Sequence, residues 1–434
     1  MSENFKITFS DQKIINSTIS ILIIFLPFSL VAGPFLSDFS ISLVSVLFIY
    51  LSLRYKLKKY YLSRISIFFF IFYIILNLSS IFSKDVIESL RISMLYFRYY
   101  IFSLALWYII ELFPKLLKYL LVSFVVCLFC LIFDGFYQFS FGKNIIGWEI
   151  IDTRISSFFK DELVLGSFLS RVFPFVFALI IFNINFFLKK KINLFLIFIL
   201  LVNIEVLTFL SGERVAFFYI NLSAIYLIIM MKNYKIFRTA SLFFALLAIS
   251  AISFYMPEYK ERIVDRTFNQ IVKDNEKENI ISKDNVYIFS QEHTNHYKSA
   301  YKMFDENKFL GIGPRMFRAQ CNVKKYVTSF ESCSNHPHNN YLQVLAEIGL
   351  IGLILFFVPF FLLIYFSIKH LILKFFYKKY LFSDFQISLL SCFLITLWPI
   401  VPTGDFFNNW LNIIYFFPLG IFLYSLENQK LENK

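Results

Sequence analysis

The run Ser334-Asn-His336-Pro-His338-Asn-Asn340 puts two imidazoles two residues apart, and it continues into Ala346-Glu347-Ile-Gly349. His293 and His296 lie in the same segment between apolar stretches, so four of the five histidines share one loop. An imidazole titrates near pH 6.5 and can accept a proton from a hydroxyl at neutral pH. One histidine there would read as a polar loop residue; a pair at the start of a helix in a His-poor chain favours chemistry. Arginine repeats the pattern. Arg91, Arg154, Arg214, Arg262, Arg266, Arg315 and Arg318 fall on the same side of the apolar stretches as those histidines, although lysine dominates the basic residues overall. A guanidinium fork matches phosphate oxygens bidentately. These groups could hold an anion and deprotonate a nucleophile.

Local signals suggest how the groups are held. Pro337 keeps His336 extended. Asn340 with Gln343 reads as an N-cap and its partner, leaving His338 at a helix mouth whose amides favour an anion. Glu347, two turns along that helix, or His336 would steady His338. Arg315 follows Gly311-Ile-Gly313-Pro314, a turn whose small residues let amides approach a ligand. The charge run 273–279 reads as a solvated face.

The elements that position these residues are membrane spans. The chain has 434 residues and is 58% hydrophobic, 21% aromatic and only 16% charged, with 60 Phe and mean hydropathy +0.66. A soluble domain carries roughly 25% charged residues, so a water-soluble enzyme is excluded, and disorder with it. About twelve apolar segments recur, near 15–36, 39–53, 65–82, 95–113, 116–134, 163–185, 192–210, 215–231, 238–256, 340–368, 382–401 and 410–426. The first is too long for a cleaved leader and lacks a small-residue cleavage site. The expected fold is an all-α integral membrane protein. Helices at 1–134, 163–256 and 340–434 flank large outer loops at 135–162 and 257–339.

Lysine-rich connectors at 54–64, 189–191, 232–238 and 369–379 would face the cytoplasm with both termini. The net charge of +13 then reflects topology and membrane lipids, and nucleic acid is not an expected partner. Arg171 and Glu205 lie inside spans, where ionisable groups are expensive and paired; they are expected to pair with each other. Cys127, Cys130 and Cys392 read as small buried hydrophobes. Cys321 and Cys333 share the large outer loop. In a bacterial periplasm they would form a disulfide, while a zinc site with His336 and His338 does not fit the usual spacing. No Asp-x-Asp pair calls for a metal; Asp161-Glu162 is the nearest approach.

The ordered pattern Arg154…Asp161-Glu162…Gly166, Ser211-Gly-Glu-Arg214, Phe309-Leu-Gly-Ile-Gly313 and His336-Pro-His338-Asn…Ala346-Glu347-x-Gly349 resembles the O-antigen ligase / O-antigen polymerase superfamily. The resemblance implies a fold similar to integral-membrane glycosyltransferases of the GT-C type, with the site on the periplasmic side of the inner membrane. It implies a glycan donor on undecaprenyl pyrophosphate, a glycan or lipid A core acceptor, and no cofactor. Arg214 and His338 match the family's arginine and histidine. His293 stands where a second arginine is usual, so Arg266, Arg315 or His296 would supply that phosphate contact, with Arg154 as a further candidate. In this chemistry His338 deprotonates the acceptor hydroxyl while cations offset charge on the departing diphosphate. The alternative is a transporter or flippase for a lipid-linked glycan, which would spread charge along a midplane path.

Overall fold

A computed structural model describes residues 2–184, 191–269, 289–329 and 332–432. Lys189, Lys190 and the charge run 273–279 therefore lie outside the described residues. The described chain is all helix and loop, its only strand-like features two isolated bridges near 143–154.

Ten helices are long and apolar enough to cross a bilayer: 11–32, 34–55, 64–81, 86–112, 116–141, 165–182, 193–210, 235–255, 340–377 and 409–428. Two shorter apolar helices, Arg214–Met230 and Asp384–Thr396, fall where two more of the expected apolar segments lie. Helices suit this environment because every interior backbone group is paired within the segment. Large apolar side chains such as Phe25, Leu53, Phe129 and Phe254 face outward, as a lipid-facing surface requires. Inside, small residues let backbones approach. The helix Phe97–Leu112 packs on Asn409–Glu432; Ser103 donates to the Phe416 carbonyl at 2.6 Å, and a side chain at Gly420 would strike the Ser103 carbonyl at 2.4 Å.

The two ends of the bundle differ. At one, Asp384 accepts from the backbone amides of Lys232 and Asn233, Lys374 donates to the Met231 carbonyl, and Lys59 pairs with Glu111. The loops carrying the histidines gather at the other. The helix Leu116–Phe141 runs further than expected, so the loop begins at Gly142 rather than at 135. The expected pairing of Arg171 with Glu205 does not form. Glu205 binds Arg238 at 2.5 Å, with both side chains almost fully enclosed. Arg171 instead donates to the Ser167 carbonyl and stacks over Tyr219. The helix Lys191–Leu210 packs on Lys235–Tyr255, which brings Glu205 to Arg238. Arg238 is thus a buried ion-pair partner rather than a connector cation.

Candidate active site

Two helix starts meet across the loop end. The helix Gln291–Glu306 begins at Ser290, whose Oγ accepts from the His293 amide at 3.2 Å and lies 2.6 Å from His293 Nδ1. His293 and His296, three residues apart, share one helical face. The helix Asn340–Tyr377 begins at Asn339, which accepts from the amides of Tyr341 and Leu342 at 3.0 and 3.1 Å. The expected cap at Asn340 is therefore displaced by one residue. Asn340 binds Thr403 instead, its amide donating to Thr403 Oγ1 and its side chain accepting from that hydroxyl.

Between the two starts sits His338. Its ring centroid is 4.1 Å from His336 and 5.3 Å from both His293 and His296. Its backbone is left-handed, φ 56°, and its carbonyl accepts from the Thr403 amide at 2.8 Å. A non-glycine residue held in such a conformation costs about 1–3 kcal/mol and persists because neighbours over-determine it. His336 Nε2 lies 3.2 Å from the Thr403 carbonyl. Burial, then the neighbouring imidazoles, lowers the His338 pKa to about 3. Burial also lowers His293, against Glu292, and lowers His336 although Asp405 opposes it.

Glu347 lies elsewhere. It is fully buried, accepts from the Phe317 amide at 2.7 Å and from Gln343 at 3.1 Å, and makes no bond to His338. Gln343, expected to back the cap, joins Glu347 to Asp405, donating to Asp405 at 2.7 Å. The glycine turn also differs from expectation. The amides of Ile312 and Gly313 donate to the carbonyls of Ala346 and Glu347, and Leu350 N donates to the Lys308 carbonyl. The helix is broken at Gly349, φ 77°, and residues 308–313 are stitched along the break. A Cβ at Gly311 would come within 2.4 Å of the Glu347 backbone; one at Gly349 would come within 2.3 Å of the Phe309 carbonyl. Those glycines serve chain-to-chain contact, and the turn's amides are occupied internally.

The arginines divide into two groups. Arg214 opens its helix, contacts Thr267 Oγ1 at 3.5 Å and lies within electrostatic reach of Arg262 and Arg266 and of His293. Arg154 donates to the carbonyls of Ser211 and Leu163 at 3.1 and 2.7 Å, so it fastens the loop that carries Arg214. Arg262 pairs with Asp152 and donates to the Gly212 carbonyl. Arg266 is half exposed, 3.7 Å from Asp152. Arg315, with φ 65°, stands apart on a cavity it shares with Arg91 and Arg98.

The sequence reading missed Glu213, Thr403 and Asp405. Glu213 accepts from the amides of Gly166 and Ser167 at 2.7 and 3.1 Å and from the Ser167 hydroxyl at 2.6 Å, capping the helix Leu165–Phe182. Its place beside Arg214 was a signal; Thr403 and Asp405 had none. Cys321 and Cys333 are joined, Cα atoms 5.0 Å apart, and Glu306 ties the same loop to Lys84 at 2.7 Å. Among the described residues no cluster of three metal-ligating side chains occurs. No curated protein matches the chain. Residues 195–357, from the helix before Arg214 through the histidines and past the Gly349 break, match a family model described as O-antigen ligase, and that match supports the likeness of this segment to the O-antigen ligase / O-antigen polymerase superfamily.

Proposed function

We propose that the protein transfers a glycan from undecaprenyl pyrophosphate to a sugar hydroxyl on the periplasmic side of the bacterial inner membrane, with His338 as general base and Arg214 offsetting the leaving-group charge. The family supports glycan transfer in O-antigen assembly, by a glycosyltransferase-type enzyme in a multi-pass bacterial membrane protein. One observation carries the finer reading. Arg214 is within electrostatic reach of His293, whose ring is 5.3 Å from that of His338, so His293 links the cation to the base.

The donor is already activated, since its leaving group is a lipid diphosphate. Breaking the C1–O bond leaves negative charge on that phosphate, where Arg214, with Arg266 and His293 behind it, would meet it. The acceptor oxygen attacks C1 from the opposite side and loses its proton to His338, inverting the anomeric centre. With its pKa lowered to about 3 by burial and the neighbouring imidazoles, His338 is neutral at pH 7, the form a base must have. Two phosphate charges would draw that pKa upward toward the working pH. Arg154 and Glu213 are positioning residues, and no metal enters the scheme. Either a lipid-linked repeat or a lipid A core sugar can serve as acceptor; the stretch Asp161-Glu162…Gly166 leans toward the former.

The test uses full-length protein in nanodiscs with lipid-linked oligosaccharide. His338→Ala should lower transfer about 10²–10⁴-fold with donor binding retained, and chelator should leave transfer unchanged. Undiminished transfer by His338→Ala would remove the base; loss with chelator would overturn metal independence. Donor carried across the membrane without glycan transfer would favour the transporter alternative.

A further inference from the structure

Arg315 and Asp405 line a cavity of about 490 Å³. It is walled by the helix Val86–Ser93, the starts of the helices Pro34–Tyr55 and Phe97–Leu112, and the loop before Asn409–Glu432, with Arg315 entering from the large loop. Its cations are Arg91, Arg98 and Arg315; its carboxylates are Asp38, Glu88 and Asp405. These charges are not all matched. Arg98 pairs with Asp38 at 2.6 Å, and Asp405 is held by Gln343 and by the Phe407 amide. Arg91 and Arg315 form no ion pair among the described residues, and the Nε atoms of Arg98 and Arg315 are buried without a hydrogen-bond partner. Buried donors without acceptors cost about 1–3 kcal/mol each, a cost that a ligand carrying acceptor oxygens removes.

Asp405 joins this cavity to the reacting centre. It lines the cavity, acts on His336 electrostatically, and stands two residues beyond Thr403, whose amide holds the His338 carbonyl. Trp410, Tyr96 and Phe407 add aromatic surface of the kind sugar rings stack on. Resting on the transferase reading for its role, we propose that this cavity is the acceptor subsite and that it selects an acidic saccharide, whose carboxylate is received by Arg315 and Arg91. In this arrangement the donor diphosphate would meet Arg214 and His293, and the acceptor carboxylate Arg315 and Arg91.

Binding is measured without turnover, by calorimetry on the full-length protein in nanodiscs. The probes are a chondroitin-derived tetrasaccharide, which carries hexuronate carboxylates, and its carboxyl-reduced neutral counterpart. The acidic probe should bind at least about tenfold more tightly. Arg91→Gln and Arg315→Gln should each weaken it about tenfold, Arg91→Lys should recover part of the loss, and His338→Ala should leave binding intact. Arg91 is exposed, so its variant carries the test even if Arg315→Gln fails to fold. Equal affinity for both probes, no binding of either, unaffected affinity in Arg91→Gln, or displacement of the tetrasaccharide by inorganic pyrophosphate would overturn the proposal. A failed transfer assay alone would sink the transferase reading and leave this binding result standing; failed binding would leave the chemistry at His338 untouched.

Discussion

A proton on His338 would put a positive charge among three other rings in a partly buried site, and the pH behaviour follows from that. The folded pKa is about 3, whereas an unfolded histidine titrates near 6.5. Above pH 6.5 both states are neutral and the group contributes nothing to pH dependence. Between those values the unfolded chain binds a proton that the folded chain does not, so stability falls as pH falls. His293 and His336 are shifted in the same direction. Thermal melts of His338→Gln should therefore lose less stability between pH 7 and pH 5 than those of the parent protein; an identical pH dependence of the two midpoints would contradict the clustered geometry. At Arg214 the expectation concerns rate. Removing one preorganised charge-stabilising group typically lowers kcat about 10²–10³-fold, so Arg214→Gln should do so, while Arg214→Lys keeps a point charge without the fork and should fall between. Equal rates for Gln and wild type would exclude contact with the leaving group.

The elements place these side chains through backbone contacts that tolerate little change. Gly349 breaks its helix so that residues 308–313 can bond to the exposed carbonyls, and Ser79 secures the junction by donating to Leu310 O and Glu347 O at 2.6 and 2.8 Å. Gly349→Ala meets both a backbone clash and a φ of 77°. It should destabilise the protein by about 2 kcal/mol or more, visible as a lowered midpoint and faster exchange of the 308–317 amides. Retained stability would mean that the break can move. Glu213 works at the other junction, where its carboxylate completes the start of Leu165–Phe182 and stands beside Arg214. Glu213→Ala should lose about 1–2 kcal/mol and raise KM for the donor more than it lowers kcat, because it displaces Arg214 rather than joining the chemistry.

Across the whole molecule, one ion pair and one orientation carry the architecture. Arg238 is fully enclosed, and among the described residues Glu205 is its one carboxylate within 4 Å. Glu205→Leu would strand that charge and should cost about 3–5 kcal/mol, whereas Glu205→Leu with Arg238→Met should recover most of it. Expression level and melting in detergent read both; a double variant as weak as the single would argue against the pairing. The proposed orientation puts 257–339 outside, because lysine-rich connectors such as 54–64, 232–238 and 369–379 would face the cytoplasm under the positive-inside rule. A membrane-impermeant thiol reagent applied to intact spheroplasts after reduction should label Cys321 and Cys333, which are joined in that loop. Labelling only after lysis would reverse the orientation and remove the periplasmic site.

How far the sequence reached depends on what carries each property. Apolar runs of bilayer length are local, so the number and places of the helices were readable one segment at a time. The concentration of His and Arg in outer loops was readable too, because composition opposed to the topological charge bias is visible without coordinates. Pairings across the fold were not. Glu205 had two buried arginines to choose from, Arg171 and Arg238, and helix packing selected the second. Thr403 and Asp405 lie more than sixty residues from His338 and carry no motif, yet Thr403 holds its backbone and Asp405 acts on the neighbouring His336. Gly311 and Gly349 were legible as glycines but not as two halves of one seam. Membrane solvation acts on every segment alone and so writes the spans into the local sequence; a site is made by contacts between segments, and only the packed chain decides those.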